Sequence, residues 1–511
     1  MIGVVGAGTM GAGIAQLACQ AGDETVLHDA DPAARARARD RIAAGVDKAA
    51  RKGRADPRAA DRLTCAESLD ALAPAEVVIE AIPESLALKH ELFARLEEIV
   101  GEGCVLATNT SSIPVTQIAA GASVPRRVVG MHFFNPAPVM RLVEVIAAVQ
   151  SDPAAVQRVA ALGEAMGKRV IHASDGPGFL VNRCGRPFGL EALRCLQEGM
   201  ADVETIDRVV RLGGGFRMGP FELQDLVGID VGFEVSKSFY ELSFGEPRWR
   251  PSPLSARMAA SGRHGRKTGR GWYAYGDAPH RPDDPEPPPL GGGDGLVVVA
   301  GDSAIAEELF ELAALAGWHV ASPGTSNGEV PFLALDCGRE DEDPPLEGGP
   351  QALLCDRASL AQLEGDGPAV GFHALPPFES SRLVELTRTP STSSTAAERA
   401  ERFFATLGKH VAWVGDAPGL VLGRIVCQLV NEAAFALGEG VGSADDVDAG
   451  MVLGLNHPRG PLEWADEIGL EHVGGVLAAL LAETGEERYR LAPELRRRMA
   501  LGLTFREGAA L

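Results

Sequence analysis

The chain contains itself twice. "GMHFFNPAPVMRLVEV" (130–145) and "GFHALPPFESSRLVEL" (371–386) share one layout, with His132 and Glu144 twelve positions apart and His373 and Glu385 twelve apart again. From there the match continues at a single offset of 241 (His373 minus His132). Gly167-Lys168 meets Gly408-Lys409, Asp175 with Pro177-Gly178 meets Asp416 with Pro418-Gly419, and Asp207 meets Asp448. Gly219-Pro220 meets Gly460-Pro461 in the same register. Upstream, "LVVVAGDSAIAEELFELAALAGWHV" repeats the strand–turn–helix–strand pattern of "IGVVGAGTMGAGIAQLACQAGDETV". One offset held over about a hundred residues marks duplication of a whole two-domain unit, not a short solenoid repeat. Length agrees, since 511 residues exceed one core and suggest three or four domains.

Within the first copy, strands and helices alternate. "IGVVG" reads as a strand, Thr9–Gln20 as a helix with Gly22 as its C-cap, and "TVLHD" as the next strand. Asp31-Pro32 is a cap and first turn for the long helix that follows. "AEVVIEAI", "CVLATN" and "RRVVGMHFF" are short apolar runs of the kind buried parallel strands show. The fold class predicted is α/β plus all-α. A Rossmann-type doubly wound domain (1–175) precedes a helical domain (176–276), and the pair recurs in degenerate form at 296–415 and 416–511. Between the copies lies "DAPHRPDDPEPPPLGGGDG" (277–295), stiffened by proline and loosened by glycine, which reads as a linker.

Charge and cysteine usage narrow the function classes. A formal net charge of −22 argues against nucleic acid as partner, because such binding neutralises phosphates with Lys and Arg. The eight cysteines are scattered without a CxxC, which fits a reducing compartment and offers no metal site. No apolar run reaches the roughly 18–20 residues of a bilayer span, and the apolar N-terminus lacks the positive region of a signal peptide. The expectation is a cytoplasmic protein without membrane contact.

"GAGTMG", from Gly6 through Gly8, Thr9 and Met10 to Gly11, sits between a strand and a helix. Gly6 permits the tight turn, Gly8 lets a pyrophosphate approach the backbone, and Gly11 lets helix and strand pack closely. Asp29, about twenty residues on, is placed to bind ribose hydroxyls and to repel a 2′-phosphate, which favours NAD over NADP. Asp31 competes for that role, but its following proline suits it to capping.

Taken in order, "GAGTMGAGIA", "ATNTSSIPV", "GMHFFNPAPVMRLVEVI", "DGPGFLVNR", "GPFELQDLVGID" and "GRKTGRGWYAY" closely resemble the L-3-hydroxyacyl-CoA dehydrogenase family over the first 276 residues. The duplicated length resembles its longer bacterial members. The resemblance implies NAD-dependent oxidation of a 3-hydroxyacyl thioester to the 3-ketoacyl thioester, in fatty-acid or aromatic-acid breakdown. It makes His132 the general base, with Glu144 orienting the ring and stabilising the imidazolium. Ser111 and Asn182 match residues that hold substrate oxygens, though either residue type also serves as a local cap. Asn109, Ser111, Glu80, Lys89 and Asn135 match contacts to the cofactor. For coenzyme A the basic island Lys48, Arg51, Lys52 and Arg54 is available on the helix after Asp31. Lys52 stands at the family's lysine position, while the family's serine is Gly45 here. An ordinary charged helix face is the alternative reading of that island. Two other assignments compete with this one: an L-gulonate or hydroxyacid dehydrogenase of the same superfamily, and a dinucleotide-binding protein without turnover.

The second copy loses the machinery. Gly6, Gly8 and Gly11 become Gly301, Ser303 and Ala306, and no acid follows "GWHVAS". Ser111 aligns with Ala358 and Asn182 with Gly423, while His373 and Glu385 remain, expected as a buried pair stabilising a turn. Family members with a single unit pair through their helical domains. The fused copy is therefore expected to supply an intrachain pseudo-dimer, with a homo-oligomer also open.

Overall fold

The computed structural model describes residues 1–326, 328–338, 346, 348–364 and 368–507. They form two compact units, 1–183 with 439–455 and 184–438 with 456–511. No helix among the described residues is long and apolar enough to cross a membrane.

The first unit is built on eight strands: β1 (Ile2–Val5), β2 (Thr25–His28), β3 (Leu63–Ala66), β4 (Val77–Glu80), β5 (Val105–Thr108), β6 (Val128–Phe133), β7 (Leu142–Ala147) and β8 (Arg169–Ser174). Their order is β3-β2-β1-β4-β5-β6-β7-β8. The pairings are parallel except β6 with β7, whose antiparallel register sets His132 directly across from Glu144. β1, β4 and β5 are buried along their whole length, which is why they read as unbroken apolar runs. The helices anticipated from caps are present. Thr9–Ala21 ends at Gly22 with φ 102°, and Asp31 accepts the Ala33 N–H to open Pro32–Ala50.

One helix of this unit comes from far along the chain. Ala444–Gly454 lies on β7 and β8, where Asp446 pairs with Arg169 at 3.2 Å and Ser174 N–H donates to Val441 O at 2.8 Å. Small residues make that contact close: a Cβ at Gly450 would come within 2.7 Å of Val181.

In the second unit the other sheet contains β9 (Leu296–Ala300), β10 (His319–Ala321), β11 (Leu333–Asp336), β12 (Gln351–Leu354), β13 (Val370–His373), β14 (Leu383–Thr387) and β15 (His410–Trp413). Its order, β10-β9-β11-β12-β13-β14-β15, is the first sheet without its outermost strand. Here the reciprocal loan appears. Val203–Gly214, from the first repeat, packs on β14, and Arg382 N–H donates to Leu212 O at 2.9 Å. Each repeat thus lays one helix, 241 positions apart in sequence, on the other repeat's sheet.

Segment 277–295 is more than the loose linker its composition predicts. Arg281 and His280 bind Glu222 at 2.8 and 2.7 Å, Arg211 holds Asp284 at 2.9 Å, and Pro285 O accepts from Arg382 at 3.1 Å. Burial alone would raise the Glu222 carboxyl, but the bonds from Arg281 and His280 bring it down to about 2. The segment is a strap held at its charged residues, which composition cannot reveal.

Candidate active site

β1 delivers the glycine turn to the edge of the sheet where ligands bind in doubly wound folds. A Cβ on Gly11 would stand 1.8 Å from Gly6 O, so only glycine allows the helix to start that close to the strand. At Gly8 a Cβ would meet no atom within 4 Å, because the backbone there faces open space. That space belongs to a cleft of about 860 Å³ lined by Gly6, Gly8, Thr9, Met10, Asp29 and Arg41 among others. Asp29 follows β2 and links the two turns: one carboxylate oxygen accepts the Ala7 N–H at 2.7 Å, the other the Asp31 N–H at 2.9 Å. Arg41 reaches the Thr9 hydroxyl at 3.4 Å. An open backbone approach at a helix N-terminus beside an acid fits a dinucleotide.

Further along the same edge, His132 lies one residue before the end of β6, which is buried throughout. Its Nδ1 lies 2.7 Å from Glu144 Oε2, and Glu144 is fully buried. The other carboxylate oxygen of Glu144 accepts the backbone N–H groups of Leu180 and Val181 at 3.1 and 2.9 Å. Three hydrogen bonds therefore fix the pair, and a carboxylate oxygen facing Nδ1 calls for the proton on that nitrogen. Phe134 and Phe179 pack on the imidazole, with ring centroids 4.7 and 5.8 Å away. The loop between β6 and β7 is tied down by Lys168, whose Nζ donates to Ala137 O and Met140 O, both at 2.7 Å. Burial lowers that lysine to about 8. Asn182 is half-buried and follows Val181 in the short helix Val181–Cys184, beside the His–Glu pair.

Several expected cofactor contacts have other partners. Glu80 is fully buried and accepts from the Ile82 N–H, Lys89 Nζ and Thr108 Oγ1, each at 2.7 Å. Its oxygens are engaged inside the protein by these three donors. Lys89 is 1 % exposed and bridges Glu80 to Glu84. Asn109 accepts the Phe133 N–H at 2.8 Å and so fixes the end of β6. Ser111 and Asn135 are exposed, as a ligand contact requires.

Glu84 was not singled out by the sequence. It takes the N–H groups of Ser111 and Ser112 at 3.0 and 3.1 Å and the Thr110 hydroxyl at 2.7 Å, and so shapes the loop carrying Ser111. Burial works against its charge, yet Lys89 and these donors hold the carboxyl below its usual range. The signal available was an acid on the turn after β4, at the ligand-binding edge.

On the basic island, the helix ends at Ala50, and Gly53 with φ 66° closes its C-terminus. Lys52 and Arg54 thus lie beyond the helix, not on it; Lys52 is exposed, while Arg51 pairs with Asp47. Gly45 is packed on Gln16, whose Oε1 would be 2.2 Å from a Cβ there.

In the second repeat the vestigial site is rebuilt, not merely emptied. Glu385 binds the N–H groups of Val421 and Leu422 with its two oxygens, at 2.8 and 3.0 Å, and burial pushes its carboxyl up to about 8. His373 turns instead to His472, Nε2 to Nε2 at 3.1 Å, and its Nδ1 finds no hydrogen-bond partner among the described residues. The expected His373–Glu385 pair does not form. Gly423 explains the room, because a Cβ there would sit 2.3 Å from the His373 ring. Burial and the neighbouring His472 hold His373 far below the ordinary imidazole range. Ser303 caps its own helix by accepting the Ala306 N–H and donates to Cys337 O at 2.9 Å. Asp416 caps Leu360 and Ala361 as Asp175 caps Val115 and Thr116, which sets Asp356, not Ala358, at the position of Ser111.

A doubly wound sheet carrying this cleft and a fixed His–Glu pair is the architecture of an NAD-dependent dehydrogenase. Comparison with known proteins narrows the class. Residues 1–176 match the NAD-binding domain of 3-hydroxyacyl-CoA dehydrogenase, and residues 178–275 and 419–509 match its C-terminal domain. The chain belongs to the 3-hydroxyacyl-CoA dehydrogenase family. It is 34% identical to a 3-hydroxyadipyl-CoA dehydrogenase of Escherichia coli K12 over 98% of this chain and 97% of that one. A 3-hydroxybutyryl-CoA dehydrogenase of Mycobacterium tuberculosis is 41% identical, covering 54% of this chain and 98% of its own. The crystal structure of 3-hydroxybutyryl-CoA dehydrogenase from Escherichia coli K12 superposes with a TM-score of 0.83 at 33% identity over 98% of both chains.

Proposed function

We propose that the chain oxidises (S)-3-hydroxyacyl-CoA to 3-ketoacyl-CoA at one site, in the first repeat, with His132 as general base. The observation that carries this reading is the buried 2.7 Å bond from His132 Nδ1 to Glu144. It leaves Nε2 unprotonated and able to take the C3 hydroxyl proton. When bound, NAD supplies the hydride acceptor, and Gly6, Gly8, Gly11 and Asp29 are the residues to hold it. As the proton arrives, Glu144 stabilises the imidazolium, and its two backbone bonds keep it from following the ring. Ser111 and Asn182 align the substrate oxygens, Phe134 and Phe179 exclude water from the imidazole, and Lys52 meets coenzyme A phosphates.

The names of the full-length relatives support short or dicarboxylic acyl groups as substrates. The helical parts of the two repeats serve as an intrachain pseudo-dimer, supported by the packing of Arg186–Gln197 against Leu422–Gly438, where Arg424 binds Glu191 at 2.9 Å. A steady-state screen with NAD across short, long and dicarboxylic 3-hydroxyacyl-CoAs tests the reading. Turnover is expected for at least one short or dicarboxylic member; no turnover with any acyl-CoA overturns it.

A further inference from the structure

The duplication allows each site in the second unit to be compared with its own copy, and one pair is unequal. "GEPRWR" (245–250) and "GEERYR" (485–490) are equivalent, so Glu246, Arg248 and Arg250 correspond to Glu486, Arg488 and Arg490. On the first side, Glu246 holds Arg490 through two bonds of 2.9 and 2.8 Å, and Arg248 lies 3.1 Å from Glu246 and 3.1 Å from Glu432. Phe435 fills the centre, with Arg248 stacked 3.7 Å and Arg490 5.1 Å from its ring. Two arginines face two carboxylates around an apolar plug. That side is closed and neutral.

On the other side the residue equivalent to Phe435 is Arg194. Arg194, Arg250 and Arg488 surround Glu486 at 3.4, 3.8 and 3.5 Å, while Glu191, the equivalent of Glu432, is taken by Arg424 at 2.8 Å and by the Tyr489 hydroxyl at 2.9 Å. Arg194 also lies 3.8 Å from Glu198, but Arg424 already binds that carboxylate at 2.7 Å. Beside them is a cavity of about 180 Å³ lined by Arg194, Arg250, Glu486 and Arg488, and also by Gln197, Ser252 and Pro253 at the start of helix Pro253–Ala260. Such a space holds several water-sized groups, enough for a tetrahedral oxyanion. The Arg488 side chain is 8 % exposed, and its Nε, 3.5 Å from Glu486, makes no well-formed hydrogen bond among the described residues. Three guanidiniums share Glu486 at 3.4–3.8 Å and repel one another, because the nearby Glu191 and Glu198 are already engaged by Arg424 at 2.8 and 2.7 Å. Arginine forks match phosphate geometry, and a helix N-terminus adds favourable backbone dipoles.

We infer that this cavity is a binding site for a phosphate group, held by Arg194, Arg250 and Arg488. The bound group joins the first repeat, through Arg194 and Arg250, to the turn Glu487–Tyr489 of the second, and so fastens the two helical parts. Free phosphate and the phosphate of a nucleotide share this chemistry.

The test uses the full chain saturated with NADH, so that the dinucleotide cleft is filled. Inorganic phosphate, pyrophosphate and ADP are titrated by calorimetry at constant ionic strength against chloride, and unfolding midpoints are followed in parallel. The expected result is one site per chain for inorganic phosphate, with a raised midpoint as linkage requires. Arg194→Phe, which copies the closed side, and Arg250→Gln, at a half-exposed position, should each weaken binding at least tenfold while kcat is kept. ADP binding more tightly than inorganic phosphate assigns the site to a nucleotide; equal or weaker binding assigns it to free phosphate. No binding above chloride, or equal binding in both variants, overturns the proposal.

Discussion

Replacing Glu144 by Gln probes the central pair with almost no change of shape. In the wild type, one carboxylate oxygen serves the Leu180 and Val181 N–H groups and the other serves His132 Nδ1. Gln has a single acceptor. If its oxygen stays on the two backbone donors, its NH₂ faces Nδ1 and forces the opposite tautomer, with the proton on Nε2 where the base must be free. If the amide turns over, two buried N–H groups lose their acceptor, at about 1–3 kcal/mol each. The first arrangement wins because it breaks one contact, not two. It removes a charge-assisted bond of about 1.5–3 kcal/mol and also leaves the ring in the wrong tautomer. By analogy with the serine-protease aspartate, where the same error costs roughly 10⁴, kcat should fall roughly 10²–10⁴-fold. That corresponds to about 2.7–5.4 kcal/mol of barrier. The assay is NADH formation from (S)-3-hydroxybutyryl-CoA, with the unfolding midpoint as a control expected to move by only a few degrees. A folded Glu144→Gln enzyme with kcat within about threefold of wild type would refute the tautomer argument.

The other expectations concern the cofactor and the silent repeat. Asp29→Ala should weaken NAD binding and relax discrimination against NADP, because it removes both the repelling charge and the acceptor for the Ala7 N–H; paired KM values for NAD and NADP measure it, and a wild type preferring NADP would contradict it. Calorimetry should find one NADH per chain, and His373→Ala should leave kcat and KM unchanged, since His373 faces His472 with neither Glu385 nor a glycine turn behind it; a stoichiometry near two would contradict both.

What the sequence made legible, and what it did not, divides along physical lines. Local rules carried the first sheet: glycines where a Cβ has no room, proline and aspartate at a helix start, apolar runs for buried strands. The His132–Glu144 pair was legible because its partners lie on adjacent strands at matched register. In the second repeat the same spacing misled, for strand register places two residues opposite each other without fixing where their side chains turn. The loss of one side chain at Gly423 released His373 towards a histidine 99 residues away. The partners of Glu80 were hidden for a related reason: position along β4 does not say that Lys89 and Thr108 will bind its oxygens. The exchange of helices Val203–Gly214 and Ala444–Gly454 between sheets is a tertiary choice, and local periodicity carries no trace of it. Segment 277–295 looked like a linker because composition reports the lack of a core, not the ion pairs that pin a strap.

The proposed oxidation depends most directly on His132 itself. Turnover of (S)-3-hydroxybutyryl-CoA with saturating NAD should fall roughly 10²–10⁴-fold in His132→Gln, the usual scale for a positioned general base, while NADH still binds once per chain with unchanged affinity. A His132→Gln enzyme that turns over within about threefold of wild type would contradict it.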